Sequence, residues 1–242
     1  QKKGWLLLFV SIFLLSILMI PGVGRTVNGS TRWIGLGGGI NLQASEFAKL
    51  FLIAYIAGYL DRRREEVLAD WWGFIKPMLV MGVAALLLLM EPDFGATVVI
   101  GCCLLGMIFL SGAKLTRFLV LLTLCSVGAL ILVLVQPYRL KRLTGFVEPW
   151  SDPFGDGYQL TQALIAFGRG EWAGVGLGNS VQKLFYLPEA HTDFVFSILA
   201  EEFGLIGVTC TIVLFSILVY RAMLIGRKSE RIGNQFNAYF AY

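Results

Sequence analysis

The chain has 242 residues, of which 57% are hydrophobic and 15% charged, and its mean hydropathy is +0.73. Soluble domains are about 45–50% apolar and about 25% charged, so this composition excludes an ordinary water-soluble domain. The net charge of +4 gives no support to a nucleic-acid-binding surface, because most cations lie at the ends of apolar runs rather than in one cluster.

Long apolar runs predict several membrane-spanning helices, since about 20 residues are needed to cross the hydrocarbon core. In chain order the runs are Trp5–Ile20, Phe47–Leu60, Phe74–Met90, Ala96–Leu110, Leu115–Val135 and Phe194–Tyr220. Phe236–Tyr242 resembles the beginning of another span. We therefore predict an all-α polytopic membrane protein, in which residues 1–242 form a single transmembrane domain that is incomplete at both ends.

Cations in the short loops predict the orientation of these spans. Asp61–Arg64 follows the second span, Lys114 and Arg117 follow the fourth, and further cations follow the sixth. These alternate loops would face the cytoplasm of a bacterial cell. Residues 136–191 would then form a long extracytoplasmic loop on the opposite side of the inner membrane.

This loop exceeds the roughly 12–15 residues above which a connection is usually functional or disordered. Aromatic residues recur along it, which argues against disorder. Leu160, Ala163, Leu164 and Phe167 repeat at the spacing of an amphipathic helix. We expect this helix to lie at the membrane interface.

The most prominent candidate for chemistry is Asp193, where the loop joins the sixth span. A carboxylate at the positive end of a helix could accept a proton from a bound hydroxyl group. The alternative is that Thr192 or Asp193 is only a helix cap. His191 is the single histidine and makes a poor metal site by itself.

Charged residues also occur within the apolar runs. Glu46 and Lys49 are three residues apart, so they share a helix face and can partly neutralise each other. Such residues either face a cavity or a partner, or mark a helix end at the headgroups. Glu201 and Glu202 lie further along the sixth span, where both a functional role and pairing with a basic residue remain open.

Basic residues on the outward side could form a rim for an anionic lipid-linked substrate, or could anchor the protein to lipid headgroups. They are Arg25, Arg32, Arg139, Lys141, Arg142 and Lys183. The four cysteines lie inside apolar runs, which argues against a disulfide framework or a metal cluster.

Several motifs, in order along nearly the whole chain, resemble the SEDS family (shape, elongation, division and sporulation). They are Asn28–Ile34, Glu46–Leu50, Glu91–Gly95, Asp152–Gln162, Gly176–Lys183 and Leu187–Phe194. Asn179–Lys183 is most similar to the members that act in cell division. Motifs of this length and order are highly specific.

The resemblance implies part of a ten-helix bundle that polymerises lipid II into peptidoglycan strands outside the cytoplasmic membrane. It also implies a class B penicillin-binding protein as partner, beside other cell-division proteins. Asp193 would be the catalytic carboxylate, and Glu46 and Lys49 the charged pair of a central cavity. Arg32, Arg139 or Lys183 would hold the pyrophosphate, with or without a divalent cation such as Mg²⁺. No metal site can be identified in the sequence.

The chemistry agrees with this implication. A polyprenyl pyrophosphate leaves without protonation if cations stabilise its charge, so one general base is enough. The alternatives are a lipid II flippase and a scaffold for division proteins. A flippase needs polar residues at every depth, but Leu79–Met90 and Leu119–Val135 are almost wholly apolar. A scaffold would leave Asp193 and the ordered loop without a function.

Overall fold

The computed structural model describes residues 4–20, 23–27, 30–35 and 41–242. Its helices are α1 (Gly4–Ile17), α2 (Ala44–Arg62), α3 (Arg64–Ala69), α4 (Trp71–Met90), α5 (Phe94–Leu110), α6 (Leu115–Val135), α7 (Pro137–Val147), α8 (Tyr158–Gly170), α9 (Val195–Arg231) and α10 (Gln235–Ala241). A 3₁₀ turn covers Pro149–Ser151 and a π-helical turn covers Gln182–Tyr186. The residues form two compact units, 1–125 with 222–242, and 126–221.

Each of the six predicted apolar runs coincides with a helix. In the part of the chain that the structure describes, α4, α6 and α9 are long and apolar enough to cross a membrane. The apolar helices α1 and α5 are shorter, with 14 and 17 residues. Helix α2 has 19 residues but carries charges near both ends. The division of the chain into domains stays a prediction.

Helix α2 is the centre of the first unit and contacts α1, α4, α5 and α10. Leu52, Ile56 and Leu60 recur every four residues, so they lie on one face, and all three are fully buried. Small residues such as Ala48 and Ala57 on the same helix let its neighbours approach closely. By contrast, Arg117 is the only residue of α6 that is buried among the described side chains, which is the pattern of a lipid-facing helix.

A small antiparallel sheet precedes α2, and the sequence did not predict it. Its strands β1 (Gly24–Val27), β2 (Ser30–Gly35) and β3 (Asn41–Gln43) pair in that order. Trp33 stands opposite Gln43 on β3, and Ile34 opposite Leu42. The sheet therefore leads the chain directly into the first turn of α2.

The second unit contains the predicted amphipathic helix, which is α8. Ala163, Ala166 and Gly170 form its buried face, whereas Leu164 and Phe167 stay about 40% exposed. Thr161 donates a hydrogen bond from Oγ1 to the carbonyl of Pro149, 3.2 Å away. The helix is therefore present, and its position at the membrane interface stays a prediction.

Candidate active site

Asp193 lies in a turn immediately before α9, and its side chain is exposed. The amides of Thr192 and Phe194 both donate to the carbonyl of Glu189, at 3.1 and 3.2 Å. Thr192 Oγ1 also donates to the Glu189 carboxylate at 2.8 Å. No described residue makes a hydrogen bond or ion pair with the Asp193 carboxylate, so the helix-cap alternative has no contact to support it.

Helix α9 breaks at Gly204, whose φ of 63° lies in the left-handed region that favours glycine. The loop after α8 docks at this break. Four backbone hydrogen bonds of 2.9–3.2 Å join the loop to α9, from Val175 to Glu201, Gly176 to Glu202, Leu205 to Glu171 and Ile206 to Trp172. The loop backbone thus takes up polar groups that a regular helix would pair internally.

The side chains of Glu201 and Glu202 bind the same loop. Lys183 Nζ lies 2.5 Å from Glu202 Oε1, and Arg169 Nη1 lies 3.4 Å from Glu201 Oε1. Of the two possibilities left open by the sequence, pairing with basic residues is therefore present. Lys183, predicted to bind the pyrophosphate, is already neutralised in part, although a third of its side chain remains exposed.

In the first unit, Arg32 on β2 holds the turn between α4 and α5. Its guanidinium donates to the carbonyls of Glu91, at 3.3 Å from Nε, and Pro92. Nη1 lies 4.0 Å from Asp93 Oδ1. About 30% of the Arg32 side chain is exposed, so an anion could still reach it.

Asp93 joins three elements in this region. Its Oδ1 accepts a hydrogen bond from the Ala96 amide at 3.1 Å, which caps α5. Its Oδ2 accepts one from Ser45 Oγ at the start of α2, also at 3.1 Å. The sequence singled out Glu91–Gly95 only as a family motif and missed that Asp93 is the partner of Arg32.

Glu91 is buried beside this network, and neither oxygen of its carboxyl group has a hydrogen-bond partner among the described residues. Burial, together with the negative charge of Asp93, raises the pKa of Glu91 from 4.5 to about 7, against an opposing effect of Arg32. Glu91 is therefore partly protonated at neutral pH.

Glu46 and Lys49 form the predicted contact on the first turns of α2, with 2.7 Å between Glu46 Oε1 and Lys49 Nζ. Lys49 is largely covered, whereas more than half of the Glu46 side chain is exposed. These two residues and Arg32 belong to the first unit, and Lys183 and Asp193 to the second. Within the first unit Glu46 and Lys49 contact each other, whereas Arg32 contacts the turn between α4 and α5.

Two expectations lack a structural test. The side chain of Arg139 on α7, like that of Arg142, lies outside the described residues, as does that of Arg25. Among the described residues, no three His, Cys, Asp or Glu side chains gather into a group that could hold a metal ion. We therefore assign no residue to a metal.

Comparison with known proteins gives a consistent result. A family model described as a cell cycle protein, FtsW/RodA/SpoVE, matches residues 1–242. The chain is 63% identical over its whole length to a probable peptidoglycan glycosyltransferase FtsW of Hahella chejuensis, and 57% identical to one of Marinobacter nauticus. It spans 61% and 60% of the length of these two relatives.

Solved structures agree with the family match. A chain of a peptidoglycan synthase complex, described as showing the structural coordination of polymerization and crosslinking, superposes with a TM-score of 0.75 and 27% identity. The match covers 99% of the present chain and 66% of that one. The rod shape determining protein RodA of Thermus thermophilus gives a TM-score of 0.64 and 26% identity, covering 99% and 62%. The chain therefore belongs to the FtsW/RodA/SpoVE family of cell cycle proteins, the SEDS family that its motifs indicate.

Proposed function

We propose that the protein is a peptidoglycan glycosyltransferase that polymerises lipid II during cell division, with Asp193 as its general base. The observation that carries the proposal is the exposed carboxylate of Asp193, in a hydrogen-bonded turn before α9. It makes no hydrogen bond or ion pair with any described residue. A base must present a free lone pair to its substrate, and this carboxylate meets that condition. The names of the relatives support the same activity.

In this reaction Asp193 takes the proton of the acceptor sugar hydroxyl. The oxygen forms a bond to the anomeric carbon of the donor while the bond from that carbon to the pyrophosphate oxygen breaks. The configuration at that carbon is inverted, and polyprenyl pyrophosphate leaves as an anion. No second carboxylic acid is required, because the leaving group needs charge stabilisation rather than a proton.

Lys183, Arg32 and Arg139 are the cations that we assign to the pyrophosphate. Lys183 and Arg32 each keep about a third of the side chain exposed while pairing with a carboxylate. Each can therefore offer remaining donors to an anion without leaving its partner. Glu46 and Lys49 would line the substrate cavity as a neutralised pair.

The protein is a multi-pass membrane protein by family and by its apolar helices. We place it in the bacterial inner membrane with Asp193 on the extracytoplasmic side, because the cations of alternate loops favour that orientation. A class B penicillin-binding protein is the partner we expect. The solved relative in a complex that coordinates polymerization and crosslinking supports this expectation.

The deciding experiment measures glycan polymerisation from purified lipid II by the full-length protein with its transpeptidase partner. Asp193→Asn should abolish polymer while leaving expression, thermal stability and partner binding unchanged. The matched control is Glu148→Gln, which removes the same charge from an exposed side chain of the second unit. Polymer at the wild-type level in Asp193→Asn would refute the proposal, and lipid II flipping in vesicles would then be measured.

A further inference from the structure

The second unit contains a carboxylate that the proposed reaction does not use, Glu201, which is fully buried in α9. Oε2 accepts hydrogen bonds from Ser180 Oγ at 2.5 Å and from the Gln182 amide at 3.2 Å. Oε1 accepts one from the Val181 amide at 3.1 Å, and the Arg169 guanidinium lies 3.4 Å away. Four donors therefore surround it, as a buried carboxylate requires.

Three of these donors belong to one short segment, residues 180–182, and all three are uncharged. The segment leads directly into the π-helical turn Gln182–Tyr186. Glu201 thus fixes the beginning of this turn, with two backbone amides and a hydroxyl converging on one side chain.

The π-helical turn is followed closely by the turn that carries Asp193, and each is held by its own hydrogen bonds. The Leu187 amide donates to the Gln182 carbonyl at 2.9 Å, and Leu187 is 97% buried, with 3% exposed. Tyr158 of α8 donates from its hydroxyl to the Tyr186 carbonyl at 2.6 Å. Thr192 and Asp193 follow five and six residues after Leu187. Hydrogen bonds to the Glu189 carbonyl close the turn that contains them.

The first turns of α9 also connect Asp193 to Glu201 through the main chain. Only Phe194 separates Asp193 from α9, and Glu201 lies on α9 about two turns after Asp193. The Glu201 carboxylate therefore closes a ring that runs from residue 182 through Asp193 to residue 201. Closing this ring restricts the positions that the backbone at Asp193 can take relative to α9.

We propose that Glu201 is a positioning residue that holds Asp193 in its reactive orientation by binding the Ser180 hydroxyl and the backbone amides of Val181 and Gln182. This inference rests on the proposed function, in which Asp193 is the base. Displacement of a catalytic group by about 1 Å can cost about 100-fold in rate. A loosened ring should therefore lower turnover without removing any group that touches the substrate.

The test uses Glu201→Gln in the full-length protein with its partner. An amide keeps the shape, but its NH₂ group must face either the Val181 or the Gln182 amide, so one of these donors loses its acceptor. We expect hydrogen exchange of that amide to rise at least about tenfold. We also expect kcat to fall by about 10- to 100-fold, with the KM for lipid II within about twofold.

Glu171→Gln is the matched control, since it makes the same substitution at an exposed position of the same loop. It should change neither exchange nor kcat. If Glu201→Gln does not fold, Ser180→Ala decides, because it removes one donor and leaves the carboxylate in place. Ser180→Ala should show the same selective fall in kcat at a smaller size.

Wild-type kcat in a folded Glu201→Gln, or in Ser180→Ala when only that variant folds, overturns the positioning role. A rise in the KM for lipid II as large as the expected fall in kcat also overturns the positioning role, because it indicates lost substrate binding. Asp193→Asn, measured in parallel, separates the two proposals. If it is inactive while Glu201→Gln is fully active, the base stays and the positioning role fails. If Asp193→Asn is fully active, the proposed function itself fails.

Discussion

Arg117 at the start of α6 allows a stability prediction with a magnitude. It is 4% exposed and donates to the carbonyls of four consecutive residues at the end of α3. The acceptors are Val67 at 3.0 Å, Leu68 at 3.2 Å, Ala69 at 2.9 Å and Asp70 at 3.1 Å. These are the carbonyls that lack partners at a helix C-terminus. The guanidinium also lies 5.2 Å from the ring centroid of Trp71.

In Arg117→Met, water can reach the carbonyls of Ala69 and Asp70, which are exposed, but not those of Val67 and Leu68, which are buried or half-buried. Two carbonyls are then left without a partner at about 1–3 kcal/mol each, so we expect a loss of about 4 kcal/mol. This corresponds to a fall in Tm of about 10 °C for a chain of this size. The Tm of Arg117→Lys should lie between those of the wild type and Arg117→Met, because an ammonium group can reach some but not all of the four carbonyls.

The assay is thermal unfolding of the purified protein in detergent, followed by tryptophan fluorescence. Lys114→Met is the matched control, because it removes the same charge from an exposed side chain three residues away. It should leave Tm within about 2 °C. If Arg117→Met unfolds at the same temperature as Lys114→Met, the carbonyls find water, and the reasoning about their burial is wrong.

The first unit and the break in α9 give three further predictions. Because the pKa of Glu91 is raised in the folded state, the stability that its protonation contributes is present below about pH 4.5 and is lost as pH rises to about 7. Glu91→Gln should remove this dependence and be more stable at pH 8, by up to about 3 kcal/mol in denaturant titrations. Arg32→Met should raise the pKa of Glu91 further, because Arg32 lowers it. The loss of unfolding free energy with rising pH should then be centred at a higher pH. Gly204→Ala should fail to give folded protein in size-exclusion chromatography, because its Cβ would overlap the loop backbone, whereas Gly178→Ala, also at positive φ but in open space, should fold.

The six apolar helices could be predicted because a long apolar run is a signal that depends on composition alone, whereas the polar helices α3 and α7 were not predicted. The small sheet left no such signal. Its strands have four, six and three residues, and short strands depend on pairing and on neighbours rather than on local sequence. One such neighbour is the turn at Glu91 and Asp93, which Arg32 contacts from about 60 residues away in the sequence. No local pattern indicates that contact.

The candidate site was predicted in part for the same reason. The i, i+3 pair of Glu46 and Lys49 follows from helix geometry and is present. The pair of Lys183 and Glu202 depends on the docking of a loop at Gly204. A glycine inside an apolar run gives no sign that its φ will be positive. The sequence could therefore identify these charges but not their partners.

The carboxylates of Asp193, Glu201 and Glu202 differ in whether their lone pairs are already occupied by hydrogen-bond donors. Those of Glu201 are occupied by the donors of residues 180–182 and by Arg169, and Glu202 is bound by Lys183 and the Ser180 amide. Neither can take a proton from a substrate without giving up a buried hydrogen bond. Asp193 alone is exposed and without a partner among the described residues. This difference supports the proposal that Asp193 takes the proton, while Glu201 and Glu202 hold the loop in place by hydrogen bonds.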